Sequence, residues 1–221
     1  MTTAIVDPSI FATAVTRMTL DWKRMGAFSG ILGGVLFVVM TLVNMAVYPG
    51  GYSFVENYFS ELGLTVVGLQ DNLLGYVLFS AACTSAAVFS VPFWIAIRKV
   101  FTDTRLLRVL SWLGTIIGVV AAPFLSALAL YAANLYGYEH GMSTILFFIL
   151  YSSAIIVYSI AMLANKQYNR LYALIGFAVA AVCLVHIFGI HTALMQKLAV
   201  YSLVLWSAFQ GYRLLQLFKK Q

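Results

Sequence analysis

AFSGILGGVLFVVMTLVNMAVY, residues 27–48, decides the fold. The run carries no charged side chain from end to end, and a helix needs ~20 apolar residues to cross the hydrocarbon of a bilayer. Five more runs of the same kind follow, at about 72–97, 109–131, 141–164, 171–190 and 198–217. Away from their ends these spans hold no Asp, Glu, Lys or Arg. Six buried helices of a water-soluble protein would need a polar shell, and 62% hydrophobic against 9% charged residues, at a mean hydropathy of +0.94, cannot supply one. The reading is therefore an all-α polytopic membrane protein. A six-helix transmembrane domain fills residues 27–221, and its first outer loop covers 49–71.

The cationic residues give the expected orientation. Arg17, Lys23 and Arg24 precede the first span, and Arg98, Lys99, Arg105 and Arg108 separate the second from the third. Lys166 and Arg170 separate the fourth from the fifth, and Arg213, Lys219 and Lys220 end the chain. Only Lys197 falls on the other side. Basic flanks stay with the cytoplasm, so both termini are expected there, in the cell membrane, with 49–71 external. The net charge of +6 is spread over helix ends and not gathered with aromatics into a phosphate-tracking surface, which excludes nucleic acid as a partner.

Residues 1–26 lack the basic leader, apolar core and small-residue cleavage site of a secretory signal. Phe11, Val15, Met18, Trp22 and Met25 recur at spacings of four and three, with Thr13, Arg17, Asp21 and Arg24 off that stripe. This pattern predicts an amphipathic helix in the headgroup plane, capped by Asp7 ahead of Pro8. Gly26, Gly30 and Gly34 in the first span, and Gly114, Gly118 and Ala122 in the third, make smooth stripes that admit a close neighbour. That neighbour is a helix of the same chain or, in a homo-oligomer or larger membrane complex, of another. Pro92 and Pro123 are expected to kink their helices. Cys83 and Cys183 fall mid-span and read as small buried apolar residues.

Chemistry concentrates at the outer end. The loop YPGGYSFVENYFSELGLTVVGLQD, residues 48–71, turns at Pro49-Gly50-Gly51 and spreads Ser53, Glu56, Asn57, Ser60 and Glu61 among aromatics. A short helix over 53–62 would put Asn57 on one face with Ser60 or Glu61. Glu139 and His140 open the fourth span, and His186 and His191 close the fifth. The candidate ligand-binding set is Glu56, Asn57, Ser60, Glu61, Glu139, His140 and His191. No cofactor is predicted. A zinc site would draw on His140, His186 and His191 and a haem on His140 with His186, but His186 and His191 lie about 140° apart around a helix and share no face.

Tyr52-Ser53 followed by Asn57-Tyr58-Phe59-Ser60-Glu61-Leu62-Gly63, just after the first span, resembles the N-Y-I-S-[DE]-L-G signature of the prokaryotic membrane-protein family catalogued as domain of unknown function 998. That family is similar in turn to the six-helix DRAM-type membrane proteins. The resemblance implies a six-helix fold and a role for Asn57, Ser60, Glu61 and Gly63, and it implies no reaction.

Three functions fit these residues. One is a binder of membrane lipids, holding a headgroup or small polar ligand in an outer-face pocket. Another is a helix-packing subunit of a membrane assembly. The third is an intramembrane hydrolase or transferase, metal-dependent or not, using Ser60 or a metal-bound water with Glu61 or Glu139 as base. A non-enzymatic role is favoured, because no nucleophile is fixed beside its base. The uncharged span interiors argue against an ion-coupled carrier.

Overall fold

The computed structural model describes residues 21–219. Six α-helices make up most of it: α1 Trp22–Val47, α2 Leu73–Ile97, α3 Arg105–Leu130, α4 Gly137–Ala164, α5 Arg170–Phe188 and α6 Ala193–Phe218. Five of them, α1 to α5, are long and apolar enough to cross a membrane. The sixth is the least apolar and carries Gln196, Lys197, Gln210 and Arg213. The expected amphipathic helix over residues 1–26 lies outside the described residues except for its last turn. That turn belongs to α1, which starts at Trp22 because the Asp21 side chain accepts from the Arg24 amide and caps the helix there.

Successive helices run antiparallel and pack on their neighbours in chain order, and α6 closes back onto α1, so the bundle is a ring with an interior. One end of the ring gathers Arg98, Lys99, Arg105, Arg108, Arg170 and Arg213, and is called the basic end below. The opposite, cap end carries the 49–71 connection. Around the outside, exposed side chains such as Phe28, Val39, Val77, Ile116, Leu163, Leu174 and Leu205 form an apolar belt.

Glycines set the closeness of the ring. A Cβ at Gly26 would stand 2.6 Å from the Pro92 carbonyl oxygen, and one at Gly30 would stand 2.6 Å from the Phe93 ring. Gly34 faces Val204 on α6, Gly114 faces Tyr158, Gly118 faces Trp94, and Ala122 is buried. Each stripe residue thus meets a neighbour of its own chain. The helices continue through Pro92 and Pro123.

The interior differs along its length. Towards the basic end, Trp94 lies at the centre of an aromatic plug, its ring 5.1 Å from Phe93, 5.2 Å from Tyr151, 5.6 Å from Tyr158 and 5.9 Å from Trp206. Towards the cap end the ring encloses a cavity.

Over that cavity sits the connection between α1 and α2. The expected helix over 53–62 does not form. Residues 54–57 make turns, a 3₁₀ helix spans Phe59–Gly63, and strands β1 Val66–Val67 and β2 Gln70–Asp71 pair in a hairpin that the sequence reading missed. Glu61 contributes to the difference, because its Oε1 accepts from the Tyr58 amide and caps the 3₁₀ helix there, so the segment starts anew at Tyr58 and does not continue from Ser53.

Candidate functional site

The loop is held by a knot around Glu61. Its Oε2 accepts from Asn57 Nδ2 at 2.7 Å and lies 3.5 Å from the Tyr48 hydroxyl, while Oε1 accepts from the Tyr58 amide at 3.1 Å. The Tyr52 hydroxyl donates to the Tyr58 carbonyl at 3.1 Å and shares the Asn57 carbonyl at 3.3 Å. Burial, and after it the Glu61 charge, push the Tyr52 phenol above its ordinary range. Tyr48 is pushed up by the same two causes in the same order.

The knot is tied to both neighbouring helices. Asn44 of α1 donates to the Leu62 carbonyl at 3.2 Å and to the Gly75 carbonyl at 2.8 Å, and Asn72 donates to the Leu64 carbonyl at 2.8 Å. Gly63 lies flat on the Phe79 ring, where any Cβ would collide. The far side is latched to the start of α6 and the connection before it. Gln196 Oε1 accepts the Phe59 amide at 2.6 Å, the Tyr58 hydroxyl donates to the His191 carbonyl, and the Lys197 ammonium donates to the Asn57 carbonyl. Lys197 is only 1% exposed, and its charge also lies 5.2 Å from the Tyr52 and Phe54 ring centres.

Beneath this cap is an elongated cavity. It is lined along α2 from Phe79 to Phe93 and along α6 from Gln196 to Ser207. At the α-helical rise this is a length of roughly 16 to 21 Å. Phe37, Phe147, Leu125, Val200 and Val204 give it mostly apolar walls. At the cap end the lining turns polar, with Ser60, His140, Thr144 and Gln196. His140 Nδ1 lies 2.7 Å from the Leu128 carbonyl and 3.1 Å from that of Tyr131. At the other end Tyr151 and Ser207 hydrogen bond to each other at 2.7 Å.

The structure therefore divides the residues expected to form one site. Asn57 and Glu61 come together in the knot, and Ser60 and His140 both line the cavity. Glu56 and Glu139 are exposed, and His191 is exposed with its carbonyl used by Tyr58. His186 is buried against Phe148, its ring centre 6.4 Å from that of His191. Among the described residues no three groups of the metal-ligating types converge. Gln196 and Lys197 were not singled out as site residues. The available signal for Lys197 was its isolation, as the one cation on its side of the chain at the head of an apolar run.

Comparison with protein-family models, curated proteins and solved structures found no match.

Proposed function

We propose that this chain is a six-span membrane protein that binds a lipid-like ligand inside its ring of helices, under the cap formed by residues 49–71. The observation that carries the reading is an elongated, largely apolar cavity whose polar groups away from the cap, Ser29, Ser90, Tyr151 and Ser207, are spent on protein partners, while Ser60, His140 and Gln196 line its cap end, the form a site takes when it accepts a chain and orients its head. The knot around Glu61 serves to hold the cap over that rim. The helix-packing alternative requires no interior space.

Orientation follows the cation asymmetry. Among the described residues every Lys and Arg except Lys197 sits at the basic end, which the positive-inside rule assigns to the cytoplasm. The sixth span is α6, whose outward face carries Leu194, Leu198, Leu205 and Phe209. Single cysteines at Leu69 and at Lys219, tested with a membrane-impermeant maleimide on intact cells, should label at Leu69 only. Labelling of both or of Lys219 alone would reverse the topology.

The ligand reading is tested by lipid extraction and mass spectrometry of protein purified under mild conditions. A stoichiometric lipid is expected in the unaltered chain and its loss in Val200→Trp, which fills the cavity. Equal lipid recovery from both proteins would sink the reading.

A second reading rests on Ser60 and His140 lining the same cavity, a nucleophile and a base of the types that acyl transfer to a serine would bring within hydrogen-bond reach. It requires that a fluorophosphonate probe label Ser60 and fail with His140→Phe. Absence of labelling in the unaltered protein removes it.

A further inference from the structure

We infer that the cavity selects an amphiphile whose head is uncharged and both donates and accepts hydrogen bonds, such as a long-chain alcohol or a monoester of glycerol. This rests on the proposed function, and adds to it the class of ligand.

The argument is one of hydrogen-bond inventory at the rim. His140 Nδ1 faces two carbonyl oxygens, at Leu128 and Tyr131. Carbonyls only accept, so Nδ1 carries the proton, and in the neutral ring Nε2 is left as an acceptor. Gln196 has its oxygen taken by the Phe59 amide, so its NH₂ group is what it has left to give. Ser60 adds a hydroxyl that serves in either sense. The Thr144 hydroxyl is spent on the His140 carbonyl at 2.8 Å. The rim thus presents one acceptor, one amide donor and one hydroxyl, a set matched by an alcohol or a hydroxy ester.

Among the described residues no Asp, Glu, Lys or Arg lines the cavity. The two nearby charges, Glu61 and Lys197, have their polar atoms turned into the cap, on Asn57, Tyr58 and Ala193. A phosphate or ammonium head would enter a largely apolar enclosure without a counter-charge, which is strongly unfavourable. At its basic end the cavity is lined by Phe93, Tyr151 and Ser207, beside the Trp94 plug.

The test uses hexadecanol carrying a mid-chain diazirine, photolysed in membranes containing the full chain, with labelled peptides identified by mass spectrometry. Labelling is expected on α1, α2 and α6 peptides that line the cavity. Unlabelled hexadecanol should compete ~10-fold better than hexadecyl phosphate or cetyltrimethylammonium, and Ser60→Ala and His140→Phe should each reduce that preference several-fold. Charged and neutral competitors acting equally, with labelling still blocked by a cavity-filling variant, would overturn the head-group inference and leave the cavity reading intact. Labelling unchanged in both Ala86→Trp and Val200→Trp would overturn the two together. Having fillers on two different helices keeps the result readable if one of them fails to assemble.

Discussion

The two halves of the ring are held by different forces. At the basic end cohesion comes from shape: Trp94 touches four aromatic rings, and glycines on α1 and α3 let the backbones approach. Burying apolar groups yields little inside lipid, so dispersion between closely packed atoms has to hold the helices there. At the cap end the helices stand apart around a cavity, and cohesion comes from side chains that bind backbone: Asn44, Asn72, Glu61, Gln196 and Lys197. The close-packed half is therefore expected to fix the fold, and the hydrogen-bonded half to open first. The comparison also has an irregular side. The packed half holds buried polar atoms without partners among the described residues, namely Trp94 Nε1, Trp206 Nε1, Ser159 Oγ and both amide atoms of Gln210.

If the comparison holds, substitutions in the two halves will separate by size and by reach. Trp94→Ala should cost most, ~3–5 kcal/mol, and lower the thermal midpoint of the whole protein in detergent. A loss under ~1 kcal/mol would show that the plug is not the cohesive centre. Gln210→Leu should act in the opposite direction, because it removes two unpartnered buried atoms at similar volume. A gain of ~1–3 kcal/mol is expected in the same thermal assay, and destabilisation would mean that the amide is satisfied in the membrane. Glu61→Gln should cost ~1–2 kcal/mol locally. Hydrogen exchange should then quicken in 49–71 while peptides around Trp94 keep their protection, and uniform acceleration would refute the division into halves.

The smallest effect concerns Tyr52. Its folded pKa lies above the ordinary phenol value, so the folded cap favours the protonated form. That contribution is fully present below about pH 10, the unfolded phenol value, and declines as pH rises beyond it. Protection of the 49–71 amides, corrected for the base-catalysed rise in intrinsic exchange, should therefore fall at alkaline pH in the unaltered chain. Tyr52→Phe should cost about 1 kcal/mol at neutral pH and flatten that alkaline dependence. An undiminished pH response in Tyr52→Phe would assign it to another group.

Much of the helical frame was legible because hydropathy and glycine spacing are local properties. Residues 27–48 fall almost wholly within α1, and Gly26, Gly30, Gly114 and Gly118 lie where close approach was expected. The cap was legible in composition and not in form. Asn57 and Glu61 do meet, but Glu61 also caps the Tyr58 amide, so a 3₁₀ turn starting there stands in place of the helix that their spacing suggested. His140 and Ser60 share a cavity, whereas Glu139, Glu56 and His191 face outward. The sorting depends on where a helix on the far side of the ring ends, which no single stretch of sequence records. Gln196 was invisible for the same reason, since its partner, the Phe59 amide, lies 137 positions away in the chain.

The bonds of Asn44 imply an order of assembly. Its amide joins α1, the Leu62 carbonyl and the first turn of α2, and Asn72 and Phe79 hold the same turn from the other side. Every one of these partners has been synthesised before α3 begins, so the first helical pair to enter the bilayer can already carry its finished roof. Gln196 and Lys197 arrive last. A nascent chain would thus stay unlocked until its final helix docks.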